Sequence, residues 1–155
     1  MKKRIALLAF FVLSVLFVRH STWWPPNWIM FNAAERGDAG TVTSTLKFGA
    51  SVHTRLGFWD RYETALHRAA LYRRAEVVRV LLDNGADVNA WTEGRDGTPL
   101  TYAILGGDVE IVKLLIARGA NVNARDVRGQ SDLSLAKRDG KAEIVRVLRN
   151  AGAVD

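Results

Sequence analysis

The sequence predicts an all-α solenoid: about four stacked helix-turn-helix repeats with short β-hairpin connections, preceded by an N-terminal hydrophobic helix. Three observations carry that prediction. Ala33, Ala69, Ala103 and Ala136 are each followed sixteen residues later by a glycine (Gly49, Gly85, Gly119 and Gly152), so the period runs 36, 34 and then 33 residues. The stretch ALHRAALYRRAEVVRVLLDNGADVNA, residues 65–90, aligns without a gap on PLTYAILGGDVEIVKLLIARGANVNA, residues 99–124. An apolar run from Ile5 to Val18, broken only by Ser14, stands directly behind Met1-Lys2-Lys3-Arg4. Repeats of this length are supersecondary units that each bury an apolar face against the next.

The chain of 155 residues has room for one ordinary domain and a short appendage. Its 48% hydrophobic and 25% charged residues, with only 3 prolines, exclude global disorder. Residues 1–26 read as a signal anchor or signal peptide and residues 27–155 as the repeat domain. The repeats fall at about 27–58, 59–92, 93–125 and 126–155.

In chain order, the N-terminal segment comes first. A basic start followed by 14 mainly apolar residues is the pattern of an export signal. Cleavage requires small residues at the first and third positions before the cut. Val18-Arg19-His20-Ser21-Thr22 supplies no such pair, since a cut after Ser21 puts Arg19 third. An uncleaved anchor through residues 5–18 is therefore the leading reading, and a cleaved signal the alternative. The run rises roughly 21 Å against a hydrocarbon core of about 30 Å. Snorkelling basic residues and an interfacial Trp23-Trp24 close the difference. Pro25-Pro26 ends that helix, because proline lacks the amide donor and restricts the residue before it. The basic residues ahead of the span put the N-terminus in the cytoplasm and the repeats across the membrane.

Each repeat reads as two short helices. Thr64, Thr98 and Ser131 are N-caps of the first helix, with Pro99 at its first position. Small alanines let the first helices approach closely, and the second helices, such as Glu110 to Ile116, supply bulkier aliphatics and end at a glycine. Val78, Leu81, Val112 and Leu115 are the expected core. In repeat 2, Arg73 occupies the turn position held by Gly37, Gly107 and Gly140, which predicts a strained turn. The end repeats carry polar residues where the inner ones have aliphatics: Thr41, Ser44 and Thr45 in repeat 1, Lys137 and Arg149 in repeat 4. These positions are expected to face solvent, since nothing stacks beyond them.

Thr98-Pro99-Leu100, Val109-Glu110-Ile111-Val112-Lys113-Leu114-Leu115 and Gly119-Ala120-Asn121-Val122-Asn123-Ala124 closely resemble the ankyrin repeat. Thr64-Ala65-Leu66-His67 and Gly85-Ala86-Asp87-Val88-Asn89-Ala90 resemble it as well. Repeat 1 departs from the pattern, with Trp28-Ile29-Met30-Phe31 where a Thr-Pro-Leu-His start belongs. The resemblance implies a non-enzymatic module that binds proteins through hairpin tips and one face of the first helices.

The residues give other chemistries little support. Lys2, Lys3, Arg4 and Arg19 account for most of the net charge of +6; without them 18 basic residues face 16 acidic ones, a net of +2. That balance argues against nucleic acid as the partner. The absence of cysteine excludes disulfides, thiolate metal sites and a cysteine nucleophile. His20, His53 and His67 form no pair with ligand spacing, and the segment Asp83 to Asn89 places its glycine third where a calcium loop needs it sixth. No nucleophile elbow or phosphate loop is present. The expectation is no enzyme, no metal, no cofactor and no small-molecule substrate.

What packing leaves over points to a protein partner. The expected contacts are Trp59, Tyr62, Leu71, Tyr72, Trp91, Arg95, Leu105, Arg128 and Arg138, from the hairpins and first helices of successive repeats. Aromatic and arginine side chains are the types that concentrate binding energy. Trp59 and Trp91 are expected to be exposed for that purpose, although Phe58 and Trp59 folding back over repeat 1 is the alternative. The leading function is a docking module at the outer face of a bacterial inner membrane or in the periplasm. The alternatives are a secreted effector acting on a host protein and a scaffold of a membrane complex.

Overall fold

The computed structural model describes residues 25–56, 62–92, 94 and 96–155. The expected N-terminal apolar helix and the anchor at residues 5–18 lie outside them. No helix among the described residues is long and apolar enough to cross a membrane.

Eight helices among the described residues form four antiparallel pairs. They are α1 (Pro25–Arg36) with α2 (Ala39–Lys47), α3 (Ala65–Leu71) with α4 (Ala75–Asp83), α5 (Pro99–Gly106) with α6 (Val109–Ala117), and α7 (Asp132–Arg138) with α8 (Ala142–Asn150). Between the first two pairs, β1 (Arg55–Leu56) and β2 (Glu63–Thr64) pair antiparallel, with Arg55 opposite Thr64 and Leu56 opposite Glu63. A single bridge from Arg125 to Ser131 marks the corresponding hairpin before α7.

α1, α3, α5 and α7 form an inner row and α2, α4, α6 and α8 an outer row. One continuous core runs between them. Ala33, Ala69, Ala103 and Ala136 are all buried, as are Val78, Leu81, Val112 and Leu115. The small residues allow close inner-row contact, most tightly at Gly106, where an added Cβ would lie 2.5 Å from the Leu71 carbonyl oxygen. Backbone, rather than a movable side chain, blocks any larger residue there.

Local chemistry sets the helix ends. Thr98 and Ser131 accept from the backbone amides of Thr101 and Ser134, as N-caps should. At α3 the Thr64 amide donates to Nδ1 of His67 at 3.2 Å, and the Thr64 hydroxyl lies 2.8 Å from the same nitrogen. Arg73 holds φ +62°, the one non-glycine residue with positive φ among those described. The strained turn expected from sequence is therefore present.

Pro25 and Pro26 are the first two residues of α1; proline suits a first helical turn because those positions have no hydrogen-bond partner within the helix. One expectation changes. Thr45 is buried rather than solvent-facing, at the site of Leu81, Leu115 and Leu148 in the other repeats. Its hydroxyl donates back to the Thr41 and Val42 carbonyls at 3.0 and 2.8 Å, so the polar atom is satisfied inside the helix. Ser44, Lys137 and Arg149 are exposed as expected, and Lys137 pairs with Asp155.

Candidate partner-docking site

The side chains on the inner row fall into two zones. Across repeats 1 to 3 they are tied into one polar chain. Arg68 bridges Glu35 at 3.2 Å and Glu63 at 2.9 Å, and the Tyr102 hydroxyl donates to Glu63 at 2.8 Å. His67 meets the Tyr102 ring edge-on, with centroids 5.0 Å apart. Burial holds the His67 ring neutral, its pKa lowered to about 4. With Nδ1 accepting from Thr64, the ring proton sits on Nε2. That atom makes no well-formed hydrogen bond, although the Gly97 and Ala90 carbonyls work to raise the pKa. This zone is a brace between repeats.

The second zone is open. A groove of about 120 Å³ lies between repeats 3 and 4, lined by Trp91, Asp96, Thr101, Leu105, Gln130 and Asp132, among others. The hairpin ahead of α5 supplies Trp91 and Asp96, α5 itself supplies Thr101 and Leu105, and the next hairpin and α7 supply Gln130 and Asp132. Asp132 is only 4% exposed. Burial pushes its pKa up to about 6, while the Thr101 hydroxyl acts against that rise and the Asp126 charge adds to it. Its Oδ2 has no hydrogen-bond partner among the described residues.

Of the residues singled out from sequence, Trp91 and Leu105 meet in this groove. Leu105 is 45% exposed, but Trp91 is half-buried as one of the walls, not the freely exposed ring expected. Arg138 reaches the rim: its guanidinium lies 3.4 Å from Gln130 Oε1 and 3.1 Å from Asp139. Arg128 is exposed on the hairpin below. Tyr62 and Tyr72, 41% and 38% exposed, lie on repeat 2 outside the groove. Leu71 is partly buried against the core instead of presented to solvent. Trp59 and Arg95 lie outside the described residues. Sequence reasoning missed Asp132, Thr101 and Gln130. The available signal was Ser131-Asp132-Leu133 itself, where an acid replaces the proline of Thr98-Pro99-Leu100.

Helix pairs stacked in two rows, with hairpins projecting at one edge and an open groove on the inner row, define a helical-repeat scaffold for binding other proteins. The chain belongs to the ankyrin repeat family: a family model for ankyrin repeats (3 copies) matches residues 29–126. Ankyrin repeats are generally non-enzymatic interaction modules. A rice protein (Oryza sativa subsp. japonica) described as probable E3 ubiquitin-protein ligase XBOS31 is 34% identical over 79 residues, 51% of this chain and 17% of that protein. The chain thus matches about a sixth of that relative's length.

Proposed function

We propose that this protein is a docking module that captures a partner protein on its inner row and hairpin tips, from the outer face of a bacterial inner membrane. The observation that carries the docking surface is the set of exposed Tyr62 and Tyr72 on repeat 2 and Leu105 on repeat 3, the last of them lining the groove with Trp91. Large apolar and aromatic side chains held in solvent are a usual mark of a contact surface. The location rests on the basic start, the apolar run Ile5 to Val18 and the absence of a cleavage pair.

Affinity purification of the full chain from the cells that make it, followed by alanine substitution, tests the docking surface. Tyr72→Ala and Leu105→Ala are expected to weaken the captured partner by about tenfold or more without unfolding the array, as at a binding hot spot. Arg79→Ala and Lys113→Ala, on the exposed side of the outer helices, are expected to leave it unchanged. The reverse pattern would move the partner to the outer row. A reporter active only outside the cytoplasm, fused after Asp155, should be active and stay with the membrane fraction. A soluble product starting near residue 22 would replace the anchor by a cleaved signal.

A further inference from the structure

We propose that the groove between repeats 3 and 4 receives one arginine side chain of the docked protein, its guanidinium entering beside Asp132 with Trp91 as the flat wall. This deepens the docking reading above and rests on it. The central observation is the buried Asp132 carboxylate, one oxygen of which has no hydrogen-bond partner among the described residues. A buried carboxylate oxygen left without a donor costs free energy, so the group that completes it must bring a hydrogen-bond donor.

The surroundings narrow the donor further. Asp96 and Asp126 line the same groove from the two flanking hairpins, and the guanidinium at its rim, Arg138, is held by Asp139, so acidic groups outnumber basic ones there. Asp126 Oδ1 already accepts the Arg128 and Gln130 amides at 2.8 Å each, so it contributes charge more than a free acceptor. Among the described residues, no three His, Cys, Asp or Glu side chains converge as metal ligands. An organic cation therefore suits the groove better than a metal ion. A guanidinium is planar, weakly hydrated and donor-rich, and it stacks on indole, which an ammonium does less well. The volume of about 120 Å³ exceeds what a single water fills.

The chain builds arginine–carboxylate contacts of its own on the inner row. In repeat 2, Arg68 pairs with Glu63 at 2.9 Å and closes that stretch of the inner row. At the position of Arg68, repeat 4 carries Leu135, which lines the groove without neutralising it. The basic side chain missing from repeat 4 is the one we assign to the partner.

The test uses the full chain, labelled for NMR, titrated at neutral pH with acetylated and amidated Gly-Arg-Gly and with its citrulline counterpart, a neutral isostere. The arginine peptide is expected to shift the Trp91 indole and Leu135 methyl signals, with citrulline at least about tenfold weaker. Asp132→Asn, its fold checked by the unchanged remaining spectrum, should abolish the response; Trp91→Leu should weaken it several-fold at Leu135. No response, an equal response to citrulline, or an undiminished response in Asp132→Asn overturns the proposal and leaves only water against Asp132. The two readings fail separately. If Asp132→Asn keeps the captured partner while Tyr72→Ala loses it, docking stands and the arginine receptor falls. If the peptide binds the groove but no partner protein is captured, docking falls and the receptor stands.

Discussion

Two buried ionisable side chains, His67 and Asp132, pull the stability of this protein in opposite directions with pH. His67 ionises near 4 when folded against 6.5 ordinarily, so between those values the unfolded chain takes up the proton first and acid destabilises the fold. Asp132 ionises near 6 against 3.8, so between those values the unfolded chain releases the proton first and stability falls as pH rises. Its contribution is full below 3.8 and lost above 6. Asp132→Asn removes the second effect and keeps the first. Denaturant unfolding across this range should find the variant more stable than the parent above pH 6, by of order 1–3 kcal/mol, with the gain vanishing near pH 4. An unchanged difference at all pH values would place Asp132 in contact with solvent.

At the level of the helix pair, the residue ahead of each outer helix serves one of two purposes, and the choice alternates along the chain. Asp38 accepts the Thr41 amide and caps α2, and Asp108 accepts the Glu110 and Ile111 amides and caps α6. The equivalent Arg74 and Lys141 leave α4 and α8 without a side-chain cap. They reach back to the preceding repeat instead. Arg74 Nε donates to the Glu35 carbonyl at 2.9 Å, and Lys141 Nζ donates to the Ile104 and Leu105 carbonyls at 2.6 and 3.1 Å. A cationic group on the last carbonyls of an inner helix also opposes its dipole. The turn before Arg74 carries the cost of Arg73 at positive φ, and the Arg73–Asp108 pair at 3.6 Å, with Arg73 well exposed, offsets little of it. Arg73→Gly should therefore stabilise the protein by about 0.5–1 kcal/mol in thermal unfolding. A loss of stability would show that the ion pair outweighs the strain. The glycine turns and this exception were legible in the sequence because each depends on a single residue. The clasps were not, because Arg74 and Lys141 find acceptors 39 and 37 residues away.

Across the whole molecule, asparagine side chains stitch one repeat to the next. Asn89 accepts the Asn121 amide at 2.8 Å and donates to the Gly119 carbonyl at 3.1 Å, and Asn123 does the same to Val154 and Gly152 at 2.9 and 3.2 Å. Repeat 1 has His53 at this position, exposed, with no such bond to repeat 2 among the described residues. In an array where each unit is stabilised by its neighbours, the weakest junction opens first. Hydrogen exchange should thus be faster in α2 than in α4 or α6. His53→Asn should slow it by restoring the clamp to Asp87 and Gly85, worth about 1 kcal/mol for a pair of partly exposed hydrogen bonds. Equal exchange in all outer helices would mean the brace through Arg68 already secures that junction.

The repeat period, the helix pairs, the caps at Thr64, Thr98 and Ser131 and the core at Val78, Leu81, Val112 and Leu115 could all be read from the chain alone. Each follows from local preference repeated at a fixed interval, and repetition makes a weak local signal strong. The exposure of individual side chains could not be read that way. Thr45 is buried because its hydroxyl turns back into its own helix, Leu71 leans on the core, and Trp91 becomes a wall. Asp132 differs in one dimension only by standing where Pro99 stands in repeat 3, and an acid after a cap serine is ordinary helix chemistry. Only stacking removes it from water and sets it facing Thr101 in the neighbouring repeat. Local residue choice determines the repeat; the contacts between repeats determine which side chains are left to bind.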